Sequence, residues 1–259
     1  MSLLTVLNDT AERRALVSRL NGLPINSIWL RISGFGADGT AAGTRKYIAA
    51  AREFHTIGKP IVADGVGGHA GLAIAAFGAA CGLSYGVAGR QRFDASAWHK
   101  PPKVGGGGSQ YLVLLSGIDV LLRREDAEAI MSAPSGRRLG ACMDPRCCPQ
   151  GFDDTIKDPK GHFLRQRAFR CDDLSDISDL MRPRHYLDRI LTEDWRRAKL
   201  LAKLKLSDRK LSARLVENAN RLDRFSEALD SLEQMSATAT RSACLERGAR
   251  PDGAKRDRR

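Results

Sequence analysis

A short apolar run, a glycine-rich turn and then a helix-like stretch of small residues recur along the first third of the chain, and this repeat narrows the fold more than any other feature. Ile25 to Ser33 reads as a buried strand, Gly34-Phe35-Gly36 turns the chain, and about Thr44 to His55 reads as a helix. Lys59-Pro60 opens a second unit: Pro60 to Ala63 is the strand, Asp64-Gly65-Val66-Gly67-Gly68 the loop, and Ala70 to Ala80 the helix. Gly82 to Val87 reads as a third strand, and either Tyr111 to Leu115 or Ile118 to Leu122 supplies a fourth. Strands separated by helices pair in parallel, so the fold class is α/β. Glycine after each strand and small residues in the helices suit a (β/α) barrel. A full barrel takes eight strands and usually about 250 residues, so the expectation over residues 1–140 is an incomplete barrel, its later half.

Before the first strand, Asp9-Thr10-Ala11-Glu12 has the form of a capping box, predicting a helix to about Leu20 that Gly22 and Pro24 end. Lys100 to Ser109, with two prolines and four consecutive glycines, reads as a plain loop. Residues 141–171 form a cysteine-rich segment, and residues 172–235 form a helical region. Predicted helices run over Pro159 to Cys171, Arg184 to Lys205 and Asp208 to about Met235. Leu211, Leu215, Leu222, Phe225, Leu229 and Leu232 place one apolar face on the last of these. Residues 236–259 read as a disordered basic tail, since Arg241 to Arg259 carries seven basic and three acidic residues.

Cysteine usage points to metal chemistry. Cys142, Cys147 and Cys148 place three thiols within seven residues on an Asp144-Pro145 turn, and His162 follows on the next helix. Three thiolates and an imidazole make a closed tetrahedral set that prefers zinc and staples a loop to a helix. Adjacent Cys147 and Cys148 can join one site only where the backbone bends sharply. Six cysteines in 259 residues are too few for a disulfide scaffold, which predicts a reducing compartment. No run approaches the roughly 20 apolar residues of a membrane span, so the expectation is a soluble cytoplasmic protein without membrane association.

The 42 basic and 30 acidic residues give a formal charge of +12, which favours anionic partners, RNA or DNA first among them. If the barrel expectation holds, the loops after its strands share one rim. Gly34, Gly36, Asp64, Gly65, Gly67 and Gly68 are then ligand-binding candidates, with Arg90 and Arg92 offering two-point contacts to phosphate. Asp64 is the candidate catalytic base, with capping of the following helix as its plain structural alternative.

Taken together, Ile32-Ser33-Gly34-Phe35-Gly36, Lys59 to Gly67, Tyr85-Gly86-Val87 and the Cys142 to Cys147 spacing resemble the later half of the tRNA-guanine (queuine) transglycosylase family, over roughly Ser27 to His162. The resemblance implies a zinc-supported barrel whose rim meets a purine-like base beside a nucleic acid backbone. In this register the family's nucleophilic aspartate falls at Tyr85, which implies binding without base exchange by this chain alone. Asp144 falls at the middle cysteine, leaving Asp144 or Cys148 to complete the metal shell. The family's first barrel half would have to come from a protein partner. Two other functions fit the residues: a flavin- or sugar-phosphate-binding barrel enzyme using Gly65 to Gly68 and Gly86 to Arg90, and an interaction scaffold docking through Leu211 to Met235.

Overall fold

The structure, a computed structural model, describes residues 8–87, 89, 91–99 and 112–248, with side chains through residue 234 except at 97. Arg90 and the Lys100 to Ser109 loop lie outside the described residues, as does the end of the basic tail from residue 249. The chain is α/β and mostly helical, with few strands. Helix α1 (Thr10–Asn21) starts where Asp9 accepts from the backbone N–H groups of Ala11 and Glu12, and Gly22 caps its end. Strand β1 (Ile28–Arg31) leads to α2 (Ala41–Phe54), whose N-cap is Thr40, accepting from Gly43 N at 3.1 Å. Strand β2 (Ile61–Asp64), α3 (Gly68–Ala76) and β3 (Gly82–Ser84) complete the repeated units.

The three strands pair in parallel in the order β1-β2-β3, with Trp29, Val62 and Gly82 in one register row and Arg31, Asp64 and Ser84 in another. One face is packed: Ile28, Leu30, Ile61 and Ala63 join Tyr47, Ile48 and Phe54 of α2 and Ala73 and Ile74 of α3 in the main core. Alternation along β1 therefore puts Trp29 and Arg31 on the opposite face, where both are exposed. Among the described residues this is an open sheet of three strands. The incomplete barrel expected over residues 1–140 is not shown among them: the parallel β/α units are present without barrel closure.

The two alternatives for a fourth parallel strand are instead both strands, β4 (Val113–Leu115) and β5 (Val120–Leu122), paired antiparallel as a separate hairpin. Only Ser116 to Asp119 connects them, too few residues for the crossover that parallel pairing needs. Helices α4 (Arg124–Ser132), α5 (Gly136–Gly140) and α6 (Phe152–Lys157) follow. Helix α7 (Pro159–Ser175) begins at Asp158, which accepts from Gly161 N at 2.9 Å, with proline at its first position. The stretch read as one helix over Arg184 to Lys205 divides into α8 (Arg182–His185), a π-helical turn (Tyr186–Leu191) and α9 (Thr192–Leu201).

Helix α10 (Arg209–Gly248) carries the expected apolar stripe and continues past Met235, where sequence reading ended it. Leu211, Leu215, Leu222, Phe225, Leu229 and Leu232 are all buried within this chain, on a helix that packs against α9 and α2. That stripe is part of the protein's own core. No helix among the described residues is long and apolar enough to cross a membrane.

Candidate metal centre and ligand cavity

Cys142, Cys147, Cys148 and His162 are buried, and their ligand atoms all lie within 4.8 Å of one another. The local backbone explains how neighbouring cysteines converge. The N–H groups of Cys147 and Cys148 both donate to the Asp144 carbonyl, at 3.0 and 2.9 Å, so the chain bends through a tight turn and turns both sulfurs inward. Their sulfurs stand 3.7 Å apart, and His162 Nδ1 lies 3.4 Å from Cys147 Sγ and 3.3 Å from Cys148 Sγ. The Asp144 carboxylate points elsewhere, holding the Arg146 side chain and backbone N–H. Of the two candidates for the fourth position, Cys148 is the one in the cluster.

The surroundings orient these groups as an outer shell does around a metal. His162 Nε2 donates to the Leu114 carbonyl at 3.0 Å, which places the proton on Nε2 and turns the Nδ1 lone pair to the sulfurs. Gln166 Nε2 donates to Cys142 Sγ at 3.3 Å, and Thr155 Oγ1 sits 3.4 Å from Cys148 Sγ. Burial pushes the Cys142 thiol up to about 12, raises Cys148 above its ordinary value, and lowers His162 toward the neutral form. Burial also pushes Cys147 up, but hydrogen bonds from Gln166 and Arg165 outweigh it and leave that thiol below its ordinary value. A buried Cys3His set of this kind could hold a metal ion, whose charge would reverse the penalty on three thiolates.

The predicted rim residues do come together, at the carboxyl ends of β1 and β2, and residues 91–95 lie across them. Gly34 N donates to the Phe93 carbonyl (2.8 Å), Ala37 N to the Gln91 carbonyl (2.8 Å), and Gly65 N to the Ser84 carbonyl (2.6 Å). Gly36 bridges Arg92, and a Cβ at Gly36 would overlap the Gln91 carbonyl. These glycines thus permit close backbone approach within the protein. Asp64 is buried and accepts from Arg31 Nε at 2.6 Å, whereas Arg92 pairs with Asp38. The cap position of α3 is Gly67, with no side-chain cap. Tyr85 is half-buried, its ring edge-on to Phe163, and burial raises its hydroxyl to about 12.

Three residues not singled out in the sequence complete a cavity beside this rim. Asp119, at the hairpin turn with φ 50°, places Oδ1 2.5 Å from Arg167 Nη1 of α7, and Arg167 Nη2 donates to Gln91 Oε1 at 3.3 Å. Burial would raise the Asp119 carboxyl, but the charge of Arg167, then His69 and Arg221, holds it at about 2. Behind the pair, Asp194 accepts two bonds from Arg170 (2.8 and 3.0 Å). His69 Nε2 lies 3.2 Å from Asp194 Oδ2 at an ion-pair distance without hydrogen-bond alignment. The Tyr186 hydroxyl donates to the His69 carbonyl at 3.2 Å.

The open sheet face carries a second group. Arg31 Cζ lies 4.9 Å from the centre of the Phe93 ring, and Phe93 stands edge-to-face with Trp98 at 5.2 Å. Trp98 is 72% exposed and Trp29, two residues before Arg31, is 61% exposed. No family model, curated protein or solved structure matches the chain.

Proposed function

We propose that the chain is a zinc-stapled nucleic-acid-binding protein that holds a single-stranded segment on the open face of its sheet and does not itself exchange a base. The observation that carries this reading is the group of exposed Trp29, Arg31 and Trp98 with half-buried Phe93 between Arg31 and Trp98. Bases stack on aromatic side chains whatever their sequence, and guanidinium groups add attraction for ring faces. Parallel sheets are as a rule covered on both faces, so this face, which no element among the described residues covers at Trp29 and Arg31, is where a further layer fits. A formal charge of +12 favours a polyanion there over a second copy of the same chain. Binding without base exchange is supported by Tyr85, a half-buried phenol that stays protonated where the resembled family has its nucleophile.

Zinc is supported by geometry. With Zn–S of about 2.3 Å and Zn–N of about 2.0 Å, tetrahedral angles put two sulfurs roughly 3.75 Å apart and sulfur and nitrogen roughly 3.5 Å apart. The 3.7, 3.4 and 3.3 Å separations among Cys147, Cys148 and His162 fit that set, and Cys142 Sγ lies within 4.8 Å of the other three ligand atoms. Four protein ligands fill the shell, so the ion's role is structural. The flavin or sugar-phosphate reading has less support, because rim amides at Gly34, Ala37 and Gly65 already donate within the protein.

The test is a tryptophan-fluorescence titration of the zinc-loaded protein with short single-stranded RNA and DNA at several salt concentrations. Binding should weaken as salt rises. Trp29→Ala and Trp98→Ala should each weaken it about 5- to 100-fold, the range expected for one lost stacking contact. Absence of binding at low salt, or indifference to both substitutions, would sink the proposal and leave the face as a seat for another protein layer.

A further inference from the structure

We infer that the cavity beside Gly68 is a binding site for a small ring or amide whose edge presents an N–H donor beside a carbonyl acceptor. This goes beyond the nucleic-acid reading and does not depend on it. The cavity, of about 330 Å³, is lined by Ala37, Val120 and Leu121 and by Gln91, Asp119 and Arg167. Its other charged residues are engaged within the protein: Arg214 donates to the Leu121 carbonyl, Arg221 to the Ala37 carbonyl, Glu217 pairs with Arg224, and Asp38 with Arg92. Gln91 and Arg167 are more than nine-tenths buried, as is the side chain of Asp119. Each also keeps one polar atom without a hydrogen-bond partner among the described residues: Gln91 Nε2, Asp119 Oδ2 and Arg167 Nε.

Which atoms remain free follows from donor and acceptor rules. A guanidinium only donates, so the amide atom 3.3 Å from Arg167 Nη2 is the Gln91 oxygen, and the unpartnered atom is the NH₂ group. Asp119 Oδ1 is held by Arg167, which leaves Oδ2 as an acceptor without a donor. Gly67 and Gly68 allow both groups to lie so close to the main chain. A Cβ on Gly67 would overlap the Gln91 side chain, and one on Gly68, at φ +59°, would come within 2.9 Å of Asp119 Oδ2.

The complement of this set needs a donor toward Asp119 and an acceptor toward Gln91 and Arg167. A phosphate or carboxylate would meet the Asp119 charge, and a simple ammonium would leave the Gln91 and Arg167 donors unmatched. A lactam or primary amide matches both sides and has a flat apolar body for the walls. The same edge can come from a free ring or from a base displayed on a strand.

The test is isothermal titration of the zinc-loaded full chain with uracil, benzamide and 1,3-dimethyluracil, the last keeping the ring but lacking N–H donors. Uracil or benzamide should bind, and dimethyluracil at least tenfold more weakly than uracil. Gln91→Leu should weaken binding at least tenfold, whereas Trp98→Ala should leave it unchanged. If free rings fail but Gln91→Leu weakens oligouridylate binding tenfold, the edge is read on a strand and the site stands. Failure of both free rings and this strand effect, or equal binding of dimethyluracil, would overturn the inference. The dimethyluracil comparison uses the unaltered protein, so it answers even where a substitution disturbs folding. Uracil binding that persists while oligonucleotide binding is absent would reject the stacking face alone.

Discussion

The Cys142–Cys148 turn and the Asp119–Arg167 pair are both buried polar clusters fastened to α7, yet they are built in opposite ways. In the first, three sulfurs and one nitrogen converge within 4.8 Å, and the outward-facing atom of His162 has its own partner, the Leu114 carbonyl. In the second, the charges pair with each other while Oδ2 of Asp119, Nε2 of Gln91 and Nε of Arg167 have no partner among the described residues. Converging donors with a satisfied outer shell suit a single ion. Divergent groups with one unmatched atom each suit a molecule with an edge.

Metal removal should separate the two regions most sharply. Cys147→Ser, or chelation of the wild-type protein, should abolish binding of about one zinc per chain and lower the Tm by at least 10 °C, because a structural metal contributes directly to folding; elemental analysis with thermal unfolding checks this. A zinc-free protein that melts unchanged would make the cysteines ordinary buried thiols.

Next in size is Arg167→Met. Removing one partner of a buried pair leaves an uncompensated charge and should cost about 3–5 kcal/mol in urea unfolding at neutral pH. The sign of its pH dependence follows from Asp119, whose folded value of about 2 lies below the ordinary carboxyl value of 3.8. The stabilisation is present above about pH 4 and is lost as pH falls toward 2, amounting to about 2 kcal/mol. Groups facing Asp119 include Arg167, His69 and Arg221, so the Arg167→Met deficit should narrow on acidification. A deficit independent of pH would show that packing alone was lost.

The smallest effect is expected from Gln166→Leu, which removes a donor to Cys142 while leaving all four ligands. Zinc affinity should fall about tenfold, the lower end for an outer-shell partner. Competition with a chromogenic chelator measures it. An unchanged affinity would confine the site's energetics to its four ligands.

Local signals in the sequence carried much of this architecture. Asp9 caps a helix, Asp158 precedes a proline-started helix, and the Leu211 to Leu232 spacing marks a buried stripe. The metal candidates were also legible, because their residue types are rare and close together. Choosing Cys148 over Asp144 was not, since it depends on how the turn directs side chains. The antiparallel hairpin was missed because apolar runs do not state their pairing sense, although a four-residue connection already forbids a parallel crossover. Gln91, Asp119 and Arg167 meet from distant segments and share no period. The one local sign was Arg167 four residues after Phe163, a charge on the buried face of α7.

Helix α7 holds His162 near its start and Arg167 little more than one turn later. If the cluster holds an ion and the cavity a ligand, this shared helix would link the two bindings. Whatever factor zinc adds to ligand affinity in the cavity, a bound ligand must return to the affinity for zinc. The protein's occupancy by metal would then report, through a rigid helix, on whether the cavity beside Gly68 is filled.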